Sequence, residues 1–411
     1  MFRGNLAHTG VYSAVGVQKF NTVKWRFQTG GRVISSPAVV NGMVYVGSTD
    51  KNLYALDLES GVLKWKFATE SSVTSSPAVS GGLVYFGSYD GVFYALKAAT
   101  GTLAWKFQTA GEKRYAGKHL HGLQPKAETM PDPWDFFLSS PAVWSGAVYF
   151  GSGDGNIYAL DAASGSLRWK VQTGDVVHSS PAIWDGTLYI GSWDSYLYAL
   201  DASTGKERWR FKTGEDPDIH NHVGIQSSPV VADGLVYFGC RDSNLYALDV
   251  ATGKQKWFFS THGSWVNNSP GIYDGKLYFG TSLPGFLHAV NAKTGDLLFS
   301  LDTKVPVFSS LAIANGMLYF GTFDGKLTAV DLKTQKPMWV FQTDASKQNL
   351  PALTNPDGTL DFAVIIPQNF YDDMVNGVAK LFTMGTFLSS PVVVNNVIYV
   401  GSTDGYLYAL Q

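Results

Sequence analysis

The chain is 411 residues long, 45% hydrophobic and 14% aromatic, with 44 glycines and only 16% charged residues. Thirty-one basic against 33 acidic residues leave a net charge of −2, which offers no basic face to a nucleic acid and no pull toward an anionic membrane surface. No apolar run reaches the roughly eighteen residues of a membrane-crossing helix, and one cysteine, Cys240, excludes an internal disulfide.

From the N-terminus, "MFRGNLAHTG" carries no charged, then apolar, then small-residue leader. Next comes an orphan strand, "TVKWRFQTG" at 22–30, with no strands before it. A repeat then takes over, and the glycine that opens its core recurs at 47, 87, 151, 191, 239, 280, 321 and 401. Each unit begins with an "SSPAVV"-like segment, near 35, 75, 139, 179, 227, 268, 309 and 389. A two-residue turn follows, such as "NG" at 41 or "DG" at 185. Such pairs accept positive φ and mark a tight hairpin. A β-rich strand, a turn around an aspartate, an alternating "NLYALD" strand, a "TG" or "SG" turn and a tryptophan-bearing strand complete the unit. Four short antiparallel strands repeated in this way predict an all-β, eight-bladed β-propeller formed by the whole chain, 1–411. The last unit lacks its fourth strand, so the N-terminal strand 22–29 is expected to complete it and close the ring. No segment reads as a helix longer than a turn or two.

The pattern "ALD-x-x-[ST]-G-x-x-x-W" stands as "ALDLESGVLKW", "ALDAASGSLRW", "ALDASTGKERW" and "ALDVATGKQKW". It resembles the tryptophan-docking repeat of pyrroloquinoline-quinone-type propellers. The resemblance implies that Trp25, Trp65, Trp105, Trp169, Trp209, Trp257 and Trp339 dock between blades as packing residues. Two units depart, with Phe299 for the tryptophan and Gln335 for the turn glycine. The family includes dehydrogenases that use the quinone with Ca²⁺ and scaffolds that bind no cofactor. "MFRGNLAHTG" is similar to the start of exported mature members, which implies a periplasmic or extracellular location.

Three insertions, 110–138, 214–226 and 344–388, all precede a first strand and therefore share one face over the central channel. The last contains "FAVII" and "VAKLF", apolar enough to pack as a lid or a docking surface. Arg32, His178, Gln226 and Asn267 precede first strands and are expected at the channel mouth, with Trp134, Trp193, Arg241 and Trp265 in neighbouring loops. Such a set suits a flat, anionic or sugar-like ligand. His119, His121, His220 and His222 form two H-x-H pairs that suggest an imidazole metal site. Asp50, Asp90, Asp154, Asp194, Asp242, Asp324 and Asp404 occupy one turn of the repeat and read as turn formers.

For a quinone, Trp134, Trp193 or Trp265 would stack, Arg32, Lys113, Arg114 or Arg241 would pair carboxylates, and Asp132 or Asp135 would serve Ca²⁺ or act as base. The alcohol-dehydrogenase branch uses adjacent disulfide-bonded cysteines, which one cysteine cannot make, and no C-x-x-C-H is present to attach a haem. The leading expectation is therefore a monomeric, non-catalytic propeller without a cofactor, binding a protein partner or a small or glycan ligand through the insertion face. The alternatives are an oxidoreductase using pyrroloquinoline quinone with Ca²⁺ and a glycan-acting enzyme.

Overall fold

The computed structural model describes residues 2–214 and 224–411. Among these, eight antiparallel blades form, each running from a short inner strand to a longer outer one. Blade one comprises Ala38–Val40, Met43–Gly47, Asn52–Asp57 and Leu63–Ala68, and the other blades repeat that order. The "NG" turn works as its composition requires, with Asn41 and Gly42 at φ 50° and 75°. Closure follows the expected route: Val23–Gln28 pairs antiparallel with Tyr406–Leu410, from Val23 opposite Leu410 to Gln28 opposite Tyr406.

Six of the seven docking tryptophans donate their indole N–H to a carbonyl of the next blade. The acceptors are Leu58 for Trp25, Ala98 for Trp65, Ala162 for Trp105, Ala202 for Trp169, Val250 for Trp209 and Ala292 for Trp257, at 2.9–3.1 Å. The seventh, Trp339, donates instead to Val17 O of the N-terminal segment at 2.9 Å. The ring of each of the first six tryptophans lies on the turn glycine of the following blade, where a Cβ would come within 2.5–2.8 Å of it. The two departures thus explain each other. Phe299 is the residue whose next-blade turn carries Gln335, which keeps the positive φ of 57° but needs room for a side chain. The turn aspartates tie blades as well: Asp50 Oδ2 accepts from Gly30 N of the preceding blade and from Tyr54 Oη at 2.7 Å.

Along the axis the second serine of each entry segment links to the next blade. The amide of Ser36 donates to Ser76 Oγ, and the chain of bonds passes through Ser140, Ser180, Ser228, Ser269, Ser310 and Ser390. Ser390 N then donates to Ser36 Oγ at 2.9 Å and completes the circle. Beyond this ring the N-terminal segment occupies the inner edges of blades four to seven. The amides of Ile183, Val231, Ile272 and Ile313 donate to Leu6, Ala7, Thr9 and Gly10 carbonyls, and Val11–Tyr12 adds a parallel strand to Ala312–Ala314. His8 is buried there against Pro229 O, and burial with the nearby Arg3 cation drives its pKa down to about 3.

The 344–388 insertion differs from the expectation of no sustained helix. It contains α1 (Asp344–Asn349), α2 (Phe362–Ile365) and α3 (Tyr371–Phe382). In α3 the buried Val378, Leu381 and Phe382 share one face, Asp372 and Asp373 sit in the first turn and Lys380 in the last, all matching helix periodicity and dipole. Its apolar face packs on Phe136, Phe308 and Phe323.

The paired departures make a double-mutant cycle informative. Phe299→Trp should cost about 1–3 kcal/mol by overpacking against Gln335, and Gln335→Gly should recover most of it, with a coupling above roughly 1 kcal/mol in denaturant melts. Additive effects would show that the two positions do not meet.

Candidate functional site

The 110–138 insertion folds down over the channel mouth through its own carboxylates. Tyr115 N donates to Asp135 Oδ2 at 2.7 Å, Trp134 N donates to Asp132 Oδ1 at 2.8 Å, and Asp132 N returns to Tyr115 O. Both aspartates are fully buried. Asp132 Oδ2 accepts from Arg241 Nη1 at 2.7 Å, while its other oxygen lies 3.4 Å from His121 Nε2. Asp135 Oδ1 lies 2.7 Å from His178 Nδ1, and the far side of that imidazole is 3.6 Å from Glu112.

Arg241, in the aspartate turn of blade five, is itself fully buried. Its guanidinium lies between two indoles, 4.7 Å from the Trp193 centroid and 3.8 Å from that of Trp265. Tyr115 stacks on Trp193 at 4.6 Å and 10°. A desolvated cation–π contact contributes about 2 kcal/mol, so this layer is a strong local organiser. Gln226 Nε2 donates to Trp134 O at 3.3 Å, and Trp134 packs edge-on to Phe308.

The charges are mutually stabilised. Burial alone would raise the Asp132 pKa, yet the Arg241 cation, His121 and the Trp134 amide hold it well below the usual carboxylate range. Burial would likewise lower His178, but Asp135 and then Glu112 lift it to about 10.

Of the residues expected at the mouth, Trp134, His178, Trp193, Gln226, Arg241 and Trp265 are linked through the 110–138 insertion. Asn267 joins His178 and Gln226 around a small axial chamber of about 40 Å³ above the serine ring. Arg32 stands apart on blade one, its guanidinium 4.8 Å from the Phe382 ring, and burial followed by the Arg114 cation lowers its pKa. The imidazole metal cluster does not form among the described residues, where no group of three or more His, Cys, Asp or Glu could hold an ion. His121 faces Asp132 instead, because the insertion folds around that carboxylate. His220 and His222 lie outside the described residues. Asp132 and Asp135 prove to be anchors of the insertion, and Glu112 and Tyr115 join them; the spacing "PDPWD" was the visible signal for the pair. Cys240 is fully buried, and burial pushes its thiol up.

Beside this cluster lies a pocket of about 270 Å³, roofed by Leu360, Phe362, Ile366 and Met374 of the last insertion and walled by Trp134, Trp265 and Phe308. His121 is at its edge.

Radial four-stranded blades joined by tryptophan-to-carbonyl bonds define the tryptophan-docking propellers. The chain belongs to the family described as outer membrane protein assembly factor BamB, whose model matches residues 17–125, 122–264 and 260–369. Among curated relatives, the dehydrogenase subunit of an alcohol dehydrogenase (quinone) of Gluconacetobacter polyoxogenes is 41% identical over 86 residues, 18% of this chain and 12% of that protein. The quinohemoprotein alcohol dehydrogenase ADH-IIG of Pseudomonas putida is 30% identical over 156 residues, 35% of this chain and 20% of that protein. The matched segments thus span a fifth or less of these relatives' length. Among solved structures, a europium-containing methanol dehydrogenase superposes with a TM-score of 0.72 at 16% identity, covering 100% of this chain and 97% of that one. BamB from Moraxella catarrhalis superposes with 0.67 at 18% identity over 95% and 97%. At these identities the superpositions show the fold. The leading expectation of a non-catalytic binding or scaffold propeller is corrected by the curated relatives, which are dehydrogenases by name. No helix among the described residues is long and apolar enough to cross a membrane.

Two outcomes test the electrostatics. Asp132→Asn leaves the buried Arg241 cation without its counter-charge and should cost about 3 kcal/mol or more in chemical denaturation; a loss under 1 kcal/mol would mean the pair is not buried as described. His178 has a folded pKa raised above its unfolded 6.5, so its contribution is full below that pH and is lost as pH rises through about 10. The melting temperature should therefore fall across that window, and His178→Gln should flatten the fall; an unchanged slope in the variant would assign it elsewhere.

Proposed function

We propose that the chain is a quinone-dependent oxidoreductase that oxidises a small alcohol, with pyrroloquinoline quinone held at the insertion-bearing mouth. The observation that carries this reading is the Trp193–Arg241–Trp265 layer and the polar atoms around it. Trp193 Nε1, Trp265 Nε1, Arg241 Nε and Nη2, Gln226 Oε1 and both ends of the Asn267 carboxamide are buried without hydrogen-bond partners among the described residues. Two indole faces and a largely donor-bearing, cationic set match the flat ring, carbonyls and carboxylates of such a quinone. The residues present fit the organic group: Trp193 or Trp265 would stack, Arg241 would pair a carboxylate, and Asn267 and Gln226 would hydrogen-bond its edge. Because the guanidinium fills the space between the indoles, entry there requires exchange with it. A divalent cation does not fit among the described residues, which bring no suitable ligand group together.

When bound, the quinone supplies the two-electron acceptor that no side chain provides. The chain's own residues bind, orient and exclude water. The insertion shields the mouth from solvent through Tyr115, Asp132 and Asp135. Asp132 is held too acidic to be an effective base and orients its neighbours instead. His121, 3.4 Å from that carboxylate and at the pocket edge, is the group placed to take the hydroxyl proton of an alcohol. The family's outer-membrane description supports a location outside the cytoplasm for this activity.

Titration of pyrroloquinoline quinone, with and without Ca²⁺, followed by calorimetry and melting, tests the reading. Saturable binding with a concentration-dependent rise in melting temperature is expected, weakened about tenfold or more by Trp193→Ala, together with dye-linked oxidation of an alcohol. No heat and no melting shift at concentrations far above micromolar would sink it.

A further inference from the structure

The roofed pocket beside His121 is chemically unlike the mouth. Trp134, Trp265, Phe308, Leu360, Phe362 and Ile366 give it walls that are almost wholly aromatic and aliphatic, and its volume is about 270 Å³. That is just below the usual 300–1,000 Å³ of small-molecule sites, so it accommodates roughly ten to fifteen non-hydrogen atoms. Among the described residues, His121 is its only titratable wall residue, and no lysine or arginine lines it. A charged guest would be desolvated there without compensation, and a sugar would lose hydrogen bonds from most of its hydroxyls. One polar end can be met at His121 or at the Ser282 hydroxyl; the remainder must be apolar.

The roof is held to the rest of the face rather than draped over it. Tyr371 N donates to Gln124 O at 2.9 Å and Gln124 N to Asn369 O at 2.9 Å, while Tyr371 Oη donates to Pro131 O at 2.7 Å. The 344–388 insertion is thus bonded to the 110–138 insertion that carries His121. The pocket exists only because the two insertions meet, and it shares Trp265 with the Arg241 layer.

We propose that this pocket binds a neutral, mainly apolar small molecule bearing a single hydroxyl or carbonyl group, of the size of an arylalkyl or medium-chain alcohol. Calling that molecule the substrate rests on the oxidoreductase reading; its binding does not.

The test is a titration of the cofactor-free protein with 2-phenylethanol, 1-octanol and, for contrast, glucose. Intrinsic fluorescence is followed, since Trp134 and Trp265 line the pocket, and melting is measured alongside. Saturable binding of the two apolar alcohols but not of glucose is expected, reduced at least tenfold by Ile366→Trp, which fills the space. Met374→Trp serves as a second filling variant where the first alters folding, with an unchanged melting temperature as the criterion. Binding that both folded variants leave intact, or glucose bound as well as the alcohols, would overturn the proposal. Specific binding of the alcohols without dye reduction in the quinone-loaded protein would support the pocket and count against the oxidoreductase reading instead.

Discussion

The amide of Ser390 donates to the hydroxyl of Ser36 across 354 residues of sequence, and on that bond the rest of the molecule depends. Seven other serine pairs make the same link, and the circle closes only when every blade holds its serine at the same radius. An insertion between blades is spliced in before the next serine and need not disturb it, which is why 110–138 and 344–388 are tolerated. Lengthening a loop costs little beyond a slowly growing closure entropy. The outer strands repeat the logic with tryptophan and carbonyl, and Val17 supplies the carbonyl that Trp339 takes.

At one end of the channel the N-terminal segment hydrogen-bonds to four successive inner strands. At the other end the mouth is filled by charges taken out of water together. A buried ion pair is a poor source of net stability, since desolvation offsets much of the attraction, but removal of one partner is costly. Asp132 with Arg241, and Asp135 with His178, therefore act chiefly to place things. They fix where the 110–138 insertion lands, hold a guanidinium between two indoles and set His121 against the apolar pocket.

The blades were legible because their information is local and repeated: turn pairs, alternating strands and a tryptophan at constant spacing. Even the exceptions, Phe299 and Gln335, were visible as letters, although their coupling appears only once adjacent blades are packed. Much of the mouth was legible too, since loops before first strands must converge on the axis. What escaped is non-local. Nothing in "PDPWD" states that its two carboxylates reach Arg241 and His178, 109 and 43 residues away. The H-x-H spacing suggested a metal site, yet His121 is claimed by Asp132. Helix α3 carried its signals, acidic first turn and apolar face, inside a segment otherwise dominated by strand repeats. The opening residues gave no hint that their carbonyls complete an inner edge.

The layer of two indoles about Arg241 is the slot proposed for a planar quinone. Its most direct test is the crystal structure of the protein grown with pyrroloquinoline quinone. Planar density stacked on Trp193 or Trp265 is expected, with the Arg241 guanidinium displaced from between them and turned to a carboxylate of the ligand. Arg241 still held between the indoles on Asp132 under saturating quinone, with no ligand at the mouth, would contradict it.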